Sequence, residues 1–316
     1  MLSVVTIFSA WAGLELSERE SVISNLFWSI FILILVSFLF VGSAAGYVVN
    51  GRGFQGALNH PQFFGVTASY VGIWSILRML QSPRFAWQSA AIALVCLAAI
   101  VLSQARTAGL SLLISLLCTV LVQSYLMGDK ASTAFPGLKS RTTILLGLFL
   151  GSLIMLSLPF LVDVFSTFLK KGRNLSSTVD LYSNSRAVLW DPMIENIQNH
   201  PLVGIGFGLS SEPSLMQVTR LGFMDIPISA PVEKGIAWIA IIEELGIFVG
   251  SAVFIWLAFI CIRALAGGVL NTAIFVLIIC LNLGEATFFS AGGMGALAMI
   301  LLGYAVTKEG NAYRKV

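Results

Sequence analysis

The chain has 316 residues, of which 57% are hydrophobic and 10% charged, with a mean hydropathy of +0.92. Soluble domains carry about a quarter of their residues as charged side chains, so this composition excludes an ordinary soluble fold. The formal net charge of +3 is scattered along the chain, which leaves no electrostatic footprint for nucleic acid.

In chain order, the first apolar run, Met1 to Leu14, has neither a basic leader region nor a convincing cleavage site. It reads as an interfacial or partial helix rather than a signal peptide. Crossing the hydrocarbon takes roughly twenty apolar residues, and runs of that kind lie near 23–48, 62–80, 86–103, 107–128, 142–162, 236–262, 268–287 and 290–306. All eight are expected to be helices, because backbone polar groups in lipid must be satisfied within the segment. The expected fold class is therefore an all-α, polytopic transmembrane helical bundle. Small residues such as Ala291-Gly292-Gly293-Met294-Gly295 suit close helix packing. Cys96, Cys118, Cys261 and Cys280 fall inside spans without disulfide or metal-ligand spacing, and read as small buried hydrophobes. No metal or cofactor is expected.

Positive charge sets orientation. Arg78, Arg84, Lys130, Lys139, Arg141, Arg263, Lys308, Arg314 and Lys315 all fall on one side of an eight-span bundle, expected to be cytoplasmic. Arg52, His60, Arg106 and the segment 163–235 fall on the other. That segment contains Lys170, Lys171 and Arg173, against the charge bias, but long loops translocate largely regardless of charge. The organisation expected is an N-terminal bundle over 1–162 with about five spans, a large loop over 163–235 with short helices on the face opposite the cytoplasm, and a C-terminal bundle over 236–316 with about three spans and a short tail.

The loop is the one long polar interruption. Ser185 is placed to cap a helix from about Arg186 to Asn199, with Pro201 as its stop. Leu189, Met193 and Ile197 recur at i+4, an amphipathic stripe that suits a helix lying on the bundle or at the membrane surface. Such a helix would present Arg186 from its first turn, where helix N-termini attract anions. Gly204-x-Gly206-x-Gly208 lacks a strand–turn–helix context, so it is no nucleotide motif. Its glycines instead permit a tight path back to the membrane.

Ionisable groups also gather near the bilayer: Arg52, Arg106, Glu243, Glu244 and Glu285. Each alone reads as an interfacial anchor or an internal ion pair. Together they suit an anionic lipid head group with a carboxylate beside it. His60 and His200 both sit in Asn-His-Pro turns, where a structural role is commoner than a catalytic one, although imidazole has a suitable pKa.

These residues resemble the O-antigen ligase and polymerase superfamily. The similar pieces are Gly53-Phe54 with Asn59-His60-Pro61-Gln62-Phe63-Phe64-Gly65, then Ser103-Gln104-Ala105-Arg106-Thr107-Ala108. After them come Ser185-Arg186 through Trp190, His200-Pro201 through Gly208, and Glu244-Leu245-Gly246-Ile247 with Gly250. The resemblance covers about residues 40–305. It implies a GT-C-like glycosyltransferase of the bacterial inner membrane, acting at the periplasmic face on a polyprenyl-diphosphate-linked glycan. Partners would be the bilayer and other polysaccharide-assembly proteins. Two features depart from the family. About twelve spans are usual there, which implies a missing N-terminal block of about four. A His usually lies about nine residues before the Glu of Glu-x-Gly, and Gly235 stands there instead. A polymerase of surface polysaccharide or exopolysaccharide, or another polysaccharide-processing member, therefore fits better than a standard lipopolysaccharide ligase.

On this resemblance Glu233 and Arg186 are the catalytic candidates. Arg106, Arg52, Lys234, His200, Glu244 and Glu285 are the substrate-binding ones. Arg106 and Arg186 would hold the diphosphate, Glu233 would act as base, and Lys234 would bind phosphate or pair with Glu233. The competing readings are a non-catalytic or truncated membrane subunit and a solute transporter.

Overall fold

The computed structural model describes residues 2–47, 53–84, 86–126, 135–140, 178–212, 219–221, 226–229, 234–288 and 293–307. The span expected near 142–162 lies outside them, as do Arg52 and Glu233. Among the described residues the protein is an all-α polytopic membrane protein, with one two-stranded hairpin besides its helices. The helices are α1 (Leu2–Gly13), α2 (Leu16–Phe38), α3 (Pro61–Gln81), α4 (Trp87–Ser103), α5 (Arg106–Leu126), α6 (Thr178–Asn199), α7 (Ala237–Gly267), α8 (Val269–Leu281) and α9 (Gly293–Ala305). By length and composition α2, α3, α5 and α7 can each cross a membrane, and α1, α4, α8 and α9 are shorter apolar helices. The chain divides into two compact units, one of residues 1–172, 260–281 and 296–316, the other of 173–259 and 282–295.

In the first unit α3 is the hub and touches α2, α4, α5 and α8. Its residues from Phe64 to Ser75 are buried without interruption, and Phe27 of α2 stacks on its Trp74 at 5.2 Å. The first expected span, α2, starts earlier and ends sooner than its apolar run near 23–48 suggests. Glu18 accepts the Glu15 N–H at 2.8 Å, which lets α2 begin at Leu16 on a polar turn. It stops at Phe38 because the chain folds back on it. Ser37 Oγ accepts the Ala57 N–H at 3.1 Å, and Gly56, at φ +59°, lies against the Ser37 side chain where a Cβ would not fit. Helix α1 is the partial helix expected at the start. Its buried Trp11 donates to the Ile300 carbonyl at 2.9 Å and sits edge-on to Tyr304.

A polar seam joins α5 to α8. Ser111, Ser115, Thr119 and Gln123 recur every fourth residue and are all buried. Ser115 donates to the Ala273 carbonyl at 2.7 Å. Gln123 Nε2 donates to Thr272 Oγ1 at 2.6 Å, and to the Leu265 and Gly268 carbonyls at 3.1 and 3.3 Å. The same end of this unit collects basic residues. Arg78 lies 4.9 Å over Trp74, and the short turn Pro136–Lys139 tucks Gly137 against the carbonyls of Met79 and Leu80.

In the second unit α6 corrects one expectation. It begins at Thr178, so Ser185 and Arg186 lie in its interior, not at its start. Arg186 is thus removed from the helix N-terminus that would have reinforced its pull on an anion. The helix does end at Asn199, before Pro201. Strands β1 (Thr219–Leu221) and β2 (Ile226–Ser229) pair antiparallel beyond it. Helix α7 is broken at Gly246 (φ 70°, ψ 175°). Its first residue, Ala237, donates its N–H to the Asn282 carbonyl at 3.2 Å, and Trp238 meets Phe254 and Phe288.

Candidate functional site

The motifs singled out in the sequence assemble at two places, one in each unit. In the first unit the turn 53–65 meets residues 102–106. The Phe54 N–H donates to the Leu102 carbonyl at 3.0 Å. Gly53 approaches Pro61 and the Ser103 carbonyl, and Gly65 approaches Ala105 and Ser103, so closely that a Cβ at either would collide. His60 is a helix cap: its Nδ1 accepts the Gln62 N–H at 3.2 Å, with Pro61 following as the first residue of α3. Ser103 Oγ donates to the Ile100 carbonyl and accepts the Ala105 N–H. Gln104 sits in the left-handed region at φ 55°. This tight link between α4 and α5 sets half-buried Arg106 as the first residue of α5.

In the second unit the glycine-rich turn after α6 docks on the break in α7, backbone to backbone. In an unbroken helix the Ile247 N–H would bond to the Glu243 carbonyl. Here it donates to the Pro201 carbonyl at 2.9 Å. The Glu243 and Glu244 carbonyls accept instead from Ile205 (2.9 Å) and Gly206 (3.1 Å). Gly204 lies on the carbonyls of Glu243 and Glu244, and Gly246 on Leu202 and Val203. Both have positive φ, at 69° and 70°, so a side chain there would add strain to collision.

Beside this weld sits a buried ionic cluster. Lys234 Nζ lies 2.8 Å from Glu243 Oε2 and 3.0 Å from Glu244 Oε1. Ser211 Oγ donates to Glu243 Oε2 at 3.0 Å, and Asn196 Nδ2 to Glu243 Oε1 at 2.8 Å. Asn196 also donates to the Ser211 carbonyl, and the Gly208 N–H donates to Glu244 Oε2 at 2.7 Å. Lys234 and Glu243 are 2% and 0% exposed. Burying such charges is costly unless they are paired and hydrogen-bonded, and here every carboxylate oxygen has a donor. Two carboxylates sharing one ammonium leave Lys234 no charge surplus with which to draw a phosphate. Lys234 thus pairs with Glu243 and Glu244, whereas the sequence suggested the adjacent Glu233 as its alternative partner.

Among the other candidates, Glu244 is half-buried within this cluster. Exposed His200 follows α6, donates its N–H to the Asn196 carbonyl and accepts from the Gly204 N–H. Glu285 is half-buried in the turn after α8, where Asn282 Oδ1 accepts from the Thr287 and Phe288 N–H groups. Arg186 lies on α6, and its side chain is outside the described part. Asn196, Ser211 and Asn282 were missed as site residues, and Glu243 was noted only among the charges near the bilayer. The spacing of Asn196 on the Met193 face of α6 was the one available signal, since Met193 is fully buried.

Fold and site thus define a class: a polytopic α-helical membrane protein whose large polar loop is latched by buried charges onto a broken span. Residues 91–227, somewhat under half of the chain, match the family described as O-antigen ligase, and this region is similar to that superfamily. The match begins in α4, takes in Arg106 and Arg186, and ends within β2. No curated protein and no solved structure matches the chain.

Proposed function

We propose that the chain is a membrane glycosyltransferase of bacterial surface polysaccharide or exopolysaccharide assembly. It polymerises or transfers an oligosaccharide carried on polyprenyl (undecaprenyl) diphosphate, at the periplasmic face of the inner membrane. The observation that carries this reading is the O-antigen ligase match over 91–227, which contains both arginines assigned to the diphosphate. In the reaction an acceptor hydroxyl attacks the anomeric carbon of the donor sugar. The sugar–phosphate C–O bond breaks, the polyprenyl diphosphate leaves, and the hydroxyl proton passes to Glu233. Arg106 and Arg186 offset the charge growing on the leaving diphosphate, as planar bidentate donors do well. Arg52, His200 and Glu285 contact the substrate, whereas Glu244 and Lys234 hold the loop in place. The membrane parts, 1–162 and 236–316, carry the loop 163–235 between them.

A broken span with acidic residues is also a mark of transporters, where the break lies near the bilayer midplane. Here the segment of α7 after Gly246 rises about 30 Å at 1.5 Å per residue, enough to cross the hydrocarbon alone. A break at the edge of the hydrocarbon suits an interfacial enzyme better than a carrier.

The test is reconstitution with a polyprenyl-diphosphate oligosaccharide. Arg186→Ala and Arg106→Ala should abolish product while the protein still accumulates in the membrane, and Glu233→Gln should be nearly inactive. Normal product length from Arg186→Ala would remove its assignment, and wild-type activity in Glu233→Gln would remove the base. Net movement of an unmodified solute, with no glycan product, would replace the reading by transport.

A further inference from the structure

The turn that follows α6 is apolar where a periplasmic loop should be polar. Val203 is 77% exposed and Phe207 59%, and Leu202 and Leu209 are exposed beside them. A contiguous apolar surface of this kind marks an interaction site. Its neighbours in the fold name the partner. The turn is bonded to Glu243, Glu244 and Ile247 of α7. The residues that follow the break in that spanning helix, Ile247, Phe248 and Val249, are exposed too, Phe248 by 70%. On a helix of this hydropathy those positions face lipid.

Irregular backbone is tolerated at membrane depth only if its polar groups are satisfied by the protein. Four N–H groups of the turn are satisfied in this way. The N–H groups of Gly204, Ile205, Gly206 and Gly208 donate to the His200 carbonyl, the Glu243 and Glu244 carbonyls, and the Glu244 carboxylate respectively. The length of α7 beyond Gly246 sets the depth at the boundary between head groups and acyl chains, where amphipathic elements settle.

We infer that the turn from Leu202 to Leu209 is seated in the acyl-chain edge of the bilayer beside Phe248, with lipid hydrocarbon as its partner. The loop is then held from both sides: by the weld to α7 inside the protein, and by its apolar tip in the lipid. This inference does not depend on the glycosyltransferase reading, and its test does not use activity.

The full chain is placed in lipid nanodiscs with photoreactive benzoylphenylalanine in place of Phe207, Val203, Phe248 or Gln198. Irradiation should yield phospholipid adducts, seen by mass spectrometry, at 207 and 203 as at 248, and none at exposed Gln198 on α6. Adducts at 248 with none at 207 and 203 would overturn the inference. Should these variants fail to accumulate, Phe207→Cys and Val203→Cys in native membranes serve instead. They should resist a water-soluble maleimide as Phe248→Cys does, while Gln198→Cys reacts. Labelling of positions 207 and 203 as fast as Gln198→Cys would equally overturn it.

Discussion

Lys234 shows how a single side chain decides whether the loop stays attached. It supplies the cation for two carboxylates, one of them fully buried. Removing one partner of a buried pair leaves a charge that neither water nor protein satisfies, at a cost of about 3–5 kcal/mol. Lys234→Ala is therefore expected to destabilise the protein by about that amount, read as a lowered unfolding midpoint in detergent. Adding Glu243→Gln to Lys234→Ala should recover part of the loss, because the orphaned buried charge is gone; contacting residues couple in this way. A loss under about 1 kcal/mol for Lys234→Ala would mean that the cluster behaves as a surface ion pair. The pairing was not legible in the sequence. Glu243 lies nine positions after Lys234, and the turn that brings them together contains the positive-φ Gly235. The adjacent Glu233 was the natural partner to name from sequence, because local spacing is all that a sequence displays directly.

At the level of elements, the long spans were legible because an apolar run of sufficient length has few alternatives. Their ends were not. Helix α2 could be extended over polar Glu18, Arg19 and Glu20, since charges at an exposed first turn cost little. Helix α6 runs through Ser183, Asn184 and Ser185, three residues that suit a cap as well as an interior. With cap-forming residues recurring from Ser176 to Ser185, local preference alone could not choose the start. The seam between α5 and α8 was also overlooked, because serine and threonine lower hydropathy only a little and do not disturb a span. Gln123 is its strongest point. Gln123→Leu keeps the volume but withdraws the donor from two carbonyls at the junction of α7 and α8. Polar contacts between membrane helices contribute about 0.6–2 kcal/mol. A loss in that range is expected, with faster amide exchange confined to residues 265–272. An unchanged exchange pattern there would show that packing alone holds the seam.

For the whole molecule, the order of the motifs was readable, but which of them meet was not. The glycine turn at 204–208 and the break at Gly246 are some forty residues apart, and only a folded path shows their backbones exchanging hydrogen bonds. In the first unit α3 and α5 start together, at the Gly65–Ala105 contact, and run the same way. Arg78 and Lys139 lie at their far end, where Gln123 also meets the segment after Arg263. Arg106 lies at the near end, and more than three turns of helix separate it from the basic cluster. Positive charge is retained on the cytoplasmic side of membrane proteins, so this polarity predicts an orientation. Arg84→Cys and Lys139→Cys should react with a membrane-impermeant maleimide only after spheroplasts are opened. Glu195→Cys, exposed on α6, should react while they are intact. The reverse pattern would put the loop in the cytoplasm, away from any lipid-linked glycan already flipped outward, and the periplasmic reaction would fall with it.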